Sequence, residues 1–494
     1  MLIMPPHRAL TRANVPWVTL GLVLVNVFVF VALQGGDDAR YASAMAFYAE
    51  HHLDAREFPL YAAWLERERP AQADMRSLMT EGNAVEYPEG IARIQADARF
   101  LAELDADRIV TPDADGYAQW KVDRDVFDGE WNRIFTERWK LRFSELAPSR
   151  MLGAMFLHAS FGHLIGNMLF LAMLGLLVEG ALGPWLFLAV YLLGGIGSAL
   201  VSLAWHGGDV GAALGASGAI ASLMGAYCVL WGTRKVRFFW WFLVAFDYVK
   251  APALVLLPVW LGWELVNLIW NRGAHIGFDA HAGGIAIGAL LALGIRALGW
   301  ERRDFLDEET RADEAAEARI ALARADEHIG RLELPAARAL LEPLAARAPN
   351  DVAIAASLYR CARYERGRPG IDAAARTALA LAATAARDVR MQKDVYDDYL
   401  RVRGAAAVVP ASITLALASR WVAVGAGADA ASLLARVLER SPSAPGLEAA
   451  CLALARALRE RGEKTPAAGL LEAIVRTWPS SAGADKARIL LADA

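Results

Sequence analysis

Cysteine is scarce in this chain, with three in 494 residues. Cys228, Cys361 and Cys451 stand so far apart that they offer neither a disulfide framework nor a CxxC metal pattern. Histidine is nearly as rare, and no HExxH run occurs; His158-x4-His163 does not put both rings on one helix face, so no metal site is expected. The soluble-hydrolase elbow G-x-S-x-G is missing as well, because Ala219 stands where its second glycine belongs. Charge is the most informative shortage. Asp, Glu, Lys and Arg crowd the ends and residues 36–150 but thin out between 151 and 300. The net charge of -4 therefore says little about partners. No cofactor and no nucleic-acid partner are expected.

What replaces charge is apolar sequence. Hydrophobic residues make up 56% of the chain, and its mean hydropathy of +0.28 exceeds that of a usual soluble protein. Stretches near 15–34, 151–178, 181–205, 210–231, 251–270 and 280–299 each approach the roughly 20 apolar residues that span a bilayer. The first lacks a clean small-residue cleavage site and reads as a retained anchor rather than a signal peptide. Arg8 and Arg12 precede span one, Arg234, Lys235 and Arg237 follow span four, and Arg302 and Arg303 follow span six. With these clusters on one side, both termini are expected in the cytoplasm, most simply at a bacterial inner membrane. The lipid bilayer is then the first partner.

The predicted fold is all-α: a polytopic bundle of six transmembrane helices plus a soluble helical repeat domain. Its divisions are a cytoplasmic N-terminus (1–14), the first span (15–34), an outer insert (35–150), spans two to six (151–300) and a cytoplasmic tail (301–494).

Inside the apolar region lie a few expensive side chains. Ser217 sits in Leu214-Gly215-Ala216-Ser217-Gly218-Ala219-Ile220, His163 and Asn167 share a helix face in span two, and His281 opens span six. A serine in hydrocarbon can bond its own backbone, whereas ionisable groups in membrane segments point to function. In the expected topology spans two, four and six all enter from outside. Ser217 would then lie about 10 Å below the start of its helix, at a depth shared with the histidines. Gly284 and Gly288 in span six, facing Gly215, Gly218, Ala221 and Gly225 in span four, would let the two helices approach closely. Glu264 in span five reads as a neutral or paired carboxyl facing the bundle. His158 reads as structural, and His275 and Asp279 as solvated loop residues with no part in a triad.

At Gly215-x-Ser217-Gly218, His158-x4-His163-x3-Asn167 and Ala280-His281-x-x-Gly284-x3-Gly288, the chain resembles the rhomboid family of intramembrane serine proteases. The resemblance covers roughly residues 10–300. It implies that Ser217 is a nucleophile, that His281 is its base in a dyad, and that His163, Asn167 and the Ser217 N–H hold the oxyanion. Transmembrane proteins would be the substrates, cut near the outer face. Two departures stand out. Many rhomboids carry an aromatic four residues after the serine, where this chain has Ala221, and the nearest approach to their loop Trp-Arg pair is Trp131-Asn132-Arg133. The alternative is a non-catalytic rhomboid-like protein that binds transmembrane clients and recruits partners through its tail.

Residues 36–150 are too long for a plain loop. Patches such as Phe100-Leu101-x-x-Leu104 suggest amphipathic helices, some lying on the membrane surface. In the tail, Ala337…Leu340-Leu341…Pro349, Ala430…Leu433-Leu434…Pro442 and Ala467…Leu470-Leu471…Pro479 share one spacing. Ala325, Ala418 and Ala455 each precede the first alanine by twelve residues. These offsets resemble the second half of tetratricopeptide repeats and imply a cytoplasmic protein partner.

Overall fold

Each apolar run becomes a helix because a backbone in hydrocarbon must satisfy its own hydrogen bonds. The computed structural model describes residues 15–68, 87–242, 245–271, 276–368 and 370–492. It divides into two compact units, Met1–Asp313 and Glu314–Ala494. Arg8, Arg12 and His275 lie outside the described residues.

Among the described residues, the first unit holds six apolar helices: α1 (Trp17–Phe28), α2 (Phe161–Leu182), α3 (Pro184–His206), α4 (Ser217–Trp231), α5 (Leu256–Trp270) and α6 (Phe278–Ala297). Four of these regions are long and apolar enough to cross a membrane, α5 being counted with the turn that leads into it. The first stretch, Trp17–Leu33, passes only with Asp37–Glu50, at a bend of 40°. The 15 residues of α4 are apolar but short, covering about 22 Å at 1.5 Å per residue.

Two expected span starts are wrong. Span two does not begin at 151. A short helix, Pro148–Ala154, comes first, and the chain turns before Ser160 caps α2 by accepting the His163 N–H at 3.2 Å. Span four does not begin at 210 either. Residues 210–216 are loop and strand, and Ser217 is the first helical residue. That loop is tied down at both ends of its path. Leu141–Arg142 (β1) pairs antiparallel with Ala212–Ala213 (β2), and the Gly215 N–H donates to the Ala154 carbonyl at 2.8 Å. Between α4 and α5, Lys235–Phe242 (β3) and Ala245–Pro252 (β4) form an antiparallel hairpin.

Helices α2, α4 and α6 run in the same direction. Their C-terminal ends meet through the Arg302 N–H on the Ala181 carbonyl at 2.7 Å and the Arg234–Asp307 ion pair at 2.6 Å. Their N-termini, with the candidate residues, therefore gather at the opposite end. Helix α1 is held by Glu179, which accepts from the Val18 N–H (3.0 Å), the Thr19 N–H (2.8 Å) and the Thr19 hydroxyl (2.7 Å). A carboxylate there answers the orphan donors and positive end of the helix.

The closest helix contact is α4 against α6. A Cβ added at Gly284 would strike the Gly218 carbonyl, one at Gly288 the Ser222 carbonyl, and one at Gly225 the Ile285 carbonyl. Only glycine permits this approach of two backbones.

The insert between α1 and α2 forms a helical layer with its own core. Tyr48, Tyr61, Trp64, Phe100, Trp120, Phe127 and Trp131 are buried in it. At its centre, Glu57 accepts from Arg124 (2.7 Å), Tyr48 (2.8 Å) and Trp120 (3.0 Å). The amphipathic helices thus bury their apolar faces against one another, which a membrane surface is not needed to explain. Trp131 belongs to this core, while Arg133 is exposed.

In the second unit, helix pairs include Ala411–Ala423 with Gly427–Arg440 and Leu447–Glu460 with Lys464–Thr477. Ala418, Ala430, Ala455 and Ala467 are buried, as are Ala325 and Ala337. Pro349, Pro442 and Pro479 follow the helices ending at Arg347, Arg440 and Thr477, where proline disfavours a further helical turn. Burial pushes the Cys451 thiol up to about 12, which disfavours its thiolate.

Candidate active site

The site is assembled by helix starts. Gly215 has φ +130°, and a side chain there would also lie 2.9 Å from the His163 ring. The turn it allows delivers Ser217 to the first position of α4, where backbone N–H groups have no partner within the helix. His281 stands in the first turn of α6. Because α4 and α6 touch through glycine, His281 Nε2 lies 2.9 Å from Ser217 Oγ. That is hydrogen-bonding distance between a hydroxyl and a base.

His163 and Asn167 face the same space. The Ala159 N–H points at His163 Nδ1 from 3.4 Å. With Nδ1 accepting, the neutral ring carries its proton on Nε2, which lies against Gly215. Asn167 is buried, and its amide Nδ2 has no partner among the described residues. A buried donor without a protein acceptor is free to serve an oxygen brought into the cavity. His163, Asn167, Ser217, Glu264 and His281 line one cavity of about 1670 Å³. Glu89, Ala92, Arg93, Ala96 and Lys140 of the insert line it too. The first turn of α4 adds its positive end, so the cavity suits a developing negative oxygen beside Ser217.

One expectation holds and one needs correction. Glu264 is the paired carboxyl expected in span five: its Oε2 lies 3.2 Å from His281 Nδ1. Its signal in the sequence was a carboxyl isolated in an apolar span, and what the sequence lacked was the identity of its neighbour. Asp279 is not solvated. It is buried, accepts from the Ser202 hydroxyl and lies 3.6 Å from His206 Nε2. Ala221 lies against Gly284, inside the helix crossing. His158 sits in the turn before α2 and not on its far face. Its backbone N–H donates to the Gln34 amide oxygen at 3.0 Å, and its carbonyl accepts from the same amide at 3.1 Å.

A family model described as "Rhomboid domain" matches residues 146–297, the stretch that carries all of these helix starts. Residues 146–297 are thus a rhomboid domain. This domain makes the chain an integral membrane protein. Over 77 residues it is 35% identical to "RHOMBOID-like protein 5" of Arabidopsis thaliana, covering 16% of this chain and 25% of that one. Over 169 residues it is 28% identical to "Rhomboid protein 1, mitochondrial" of Saccharomyces cerevisiae, covering 32% and 45%. The chain thus spans less than half the length of either relative. No solved structure matches significantly.

Proposed function

We propose that this protein is an intramembrane serine endopeptidase that cuts transmembrane proteins. The observation that carries the reading is the 2.9 Å contact between Ser217 Oγ and His281 Nε2. In the proposed reaction Ser217 Oγ attacks the scissile carbonyl while His281 Nε2 takes its proton. The carbonyl oxygen becomes negative and is met by the Ser217 N–H, His163 Nε2–H and Asn167 Nδ2–H. Collapse breaks the C–N bond, and the proton passes from His281 to the departing amine. Water then enters the cavity and attacks the acyl carbon as His281 takes its proton; the C–Oγ bond breaks, His281 returns the proton to Ser217 Oγ, and the carboxyl product leaves.

The basic residues at the C-terminal ends of α4 and α6 support a cytoplasmic placement of that side, hence a cut near the outer face. In a bacterial cell this is the inner membrane, with both termini in the cytoplasm. The second unit fits a tetratricopeptide-like scaffold that binds a cytoplasmic protein.

The test is cleavage of a transmembrane substrate by purified protein. Ser217→Ala should abolish it and EDTA should leave it intact. Activity retained in the serine variant would point to a different chemistry, whereas folded wild type that cleaves nothing would favour the non-catalytic client binder.

A further inference from the structure

We propose that Glu264 is a positioning residue for this reaction, holding the His281 imidazole in the tautomer and orientation that accept the Ser217 proton. The inference rests on the protease reading above. The geometry is a three-part line: Ser217 Oγ is 2.9 Å from Nε2, and Glu264 Oε2 is 3.2 Å from Nδ1 on the other side of the same ring. An ionised carboxylate only accepts hydrogen bonds. Nδ1 must then carry the ring proton, which leaves the Nε2 lone pair facing the serine hydroxyl. When Nε2 takes the Oγ proton, the imidazolium stands between an oxyanion site and a fixed negative charge, and Nδ1–H stays where it is. No proton reaches Glu264.

The alternatives for holding this ring are poor. Ala221 offers no aromatic face and is used against Gly284. Phe278 meets the ring edge-on at 6.5 Å. Asp279, two residues away, is taken by Ser202 and turned towards His206. Glu264 arrives from α5, a helix on which only Leu256 and Asn267 are buried. Nothing in the packing of that helix requires a carboxyl at this point. A carboxylate in an apolar span is costly, and a histidine that becomes positively charged in each turnover gives it a counter-charge.

The experiment measures kcat and KM of the full chain in detergent on one transmembrane substrate, for wild type, Glu264→Gln, Glu264→Ala and Glu264→Asp. The rate of fluorophosphonate labelling at Ser217 is followed in parallel, and thermal unfolding checks that each variant is folded. Glutamine keeps the size and hydrogen-bonding capacity of the native side chain, so a structural role would leave it near wild type. A positioning role predicts that Gln and Ala both lower kcat, by between about 10-fold and about 10⁴-fold, with KM within about twofold. Gln should be no better than Ala, because its amide N–H can face Nδ1 and favour the wrong tautomer. Asp should recover part of the loss, and labelling rates should follow kcat. An active wild type with a Gln variant of equal kcat overturns this inference alone. A folded wild type that neither cleaves nor labels overturns the protease reading, and this inference with it.

Discussion

Asn167 is buried with an unused amide donor, so its removal separates catalysis from stability. Asn167→Ala should lower kcat by about 10²–10³-fold, the usual loss of one oxyanion donor, with KM nearly constant. Its unfolding temperature in detergent should change little, since the Asn167 amide Nδ2 has no hydrogen-bond partner among the described residues. A large drop in stability with unchanged kcat would instead make Asn167 a packing residue. At this scale the sequence marks which side chains are expensive but not which of them meet. His163 and Asn167 could be paired by helical spacing alone. Glu264 and His281 are 17 positions apart on different helices, and only the folded chain brings them to 3.2 Å. Asp279 was misread for the opposite reason. Its place before an apolar run suggested a loop, whereas it lies in the first turn of α6 with Ser202 and His206 around it.

Among the elements, the crossing of α4 and α6 sets the Ser217–His281 distance. Gly288→Val would drive a branched side chain into the Ser222 carbonyl, and overpacking of this kind costs about 1–3 kcal/mol. The variant should unfold at lower temperature and lose cleavage more steeply than it loses stability, because the helices must part. Gly294→Ala, on the same helix with nothing within 4 Å, serves as control and should do neither. The apolar runs and their glycine spacing made this crossing legible beforehand. Helix beginnings were not. The turn before Ser160 and the loop at 210–216 are nearly as apolar as the helices they precede, so hydropathy ran through them. Their backbone leaves the helix because it lines a cavity and bonds to neighbouring strand and helix. The β3–β4 hairpin is not legible in the same way, because hydropathy marks apolar runs and not which strands pair.

For the whole molecule, the two compact units define where the chain can be cut. Phe305 and Leu306 pack into the core of the first unit, and Asp307 pairs with Arg234, so a truncation at 305 would damage the membrane bundle. A chain ending at Asp313 should keep cleavage of a detergent-solubilised substrate within about twofold of the full chain, since the site and its supports lie in the first unit and independent units act nearly additively. Loss of activity in a folded truncation would show that the second unit is coupled to the chemistry. The proposal of a serine protease is tested most directly by mass spectrometry of the full chain after reaction with a fluorophosphonate. The account predicts one adduct, on Ser217, formed by wild type and absent from folded His281→Ala protein. An adduct on another residue, or none on Ser217 in folded wild type, would contradict it.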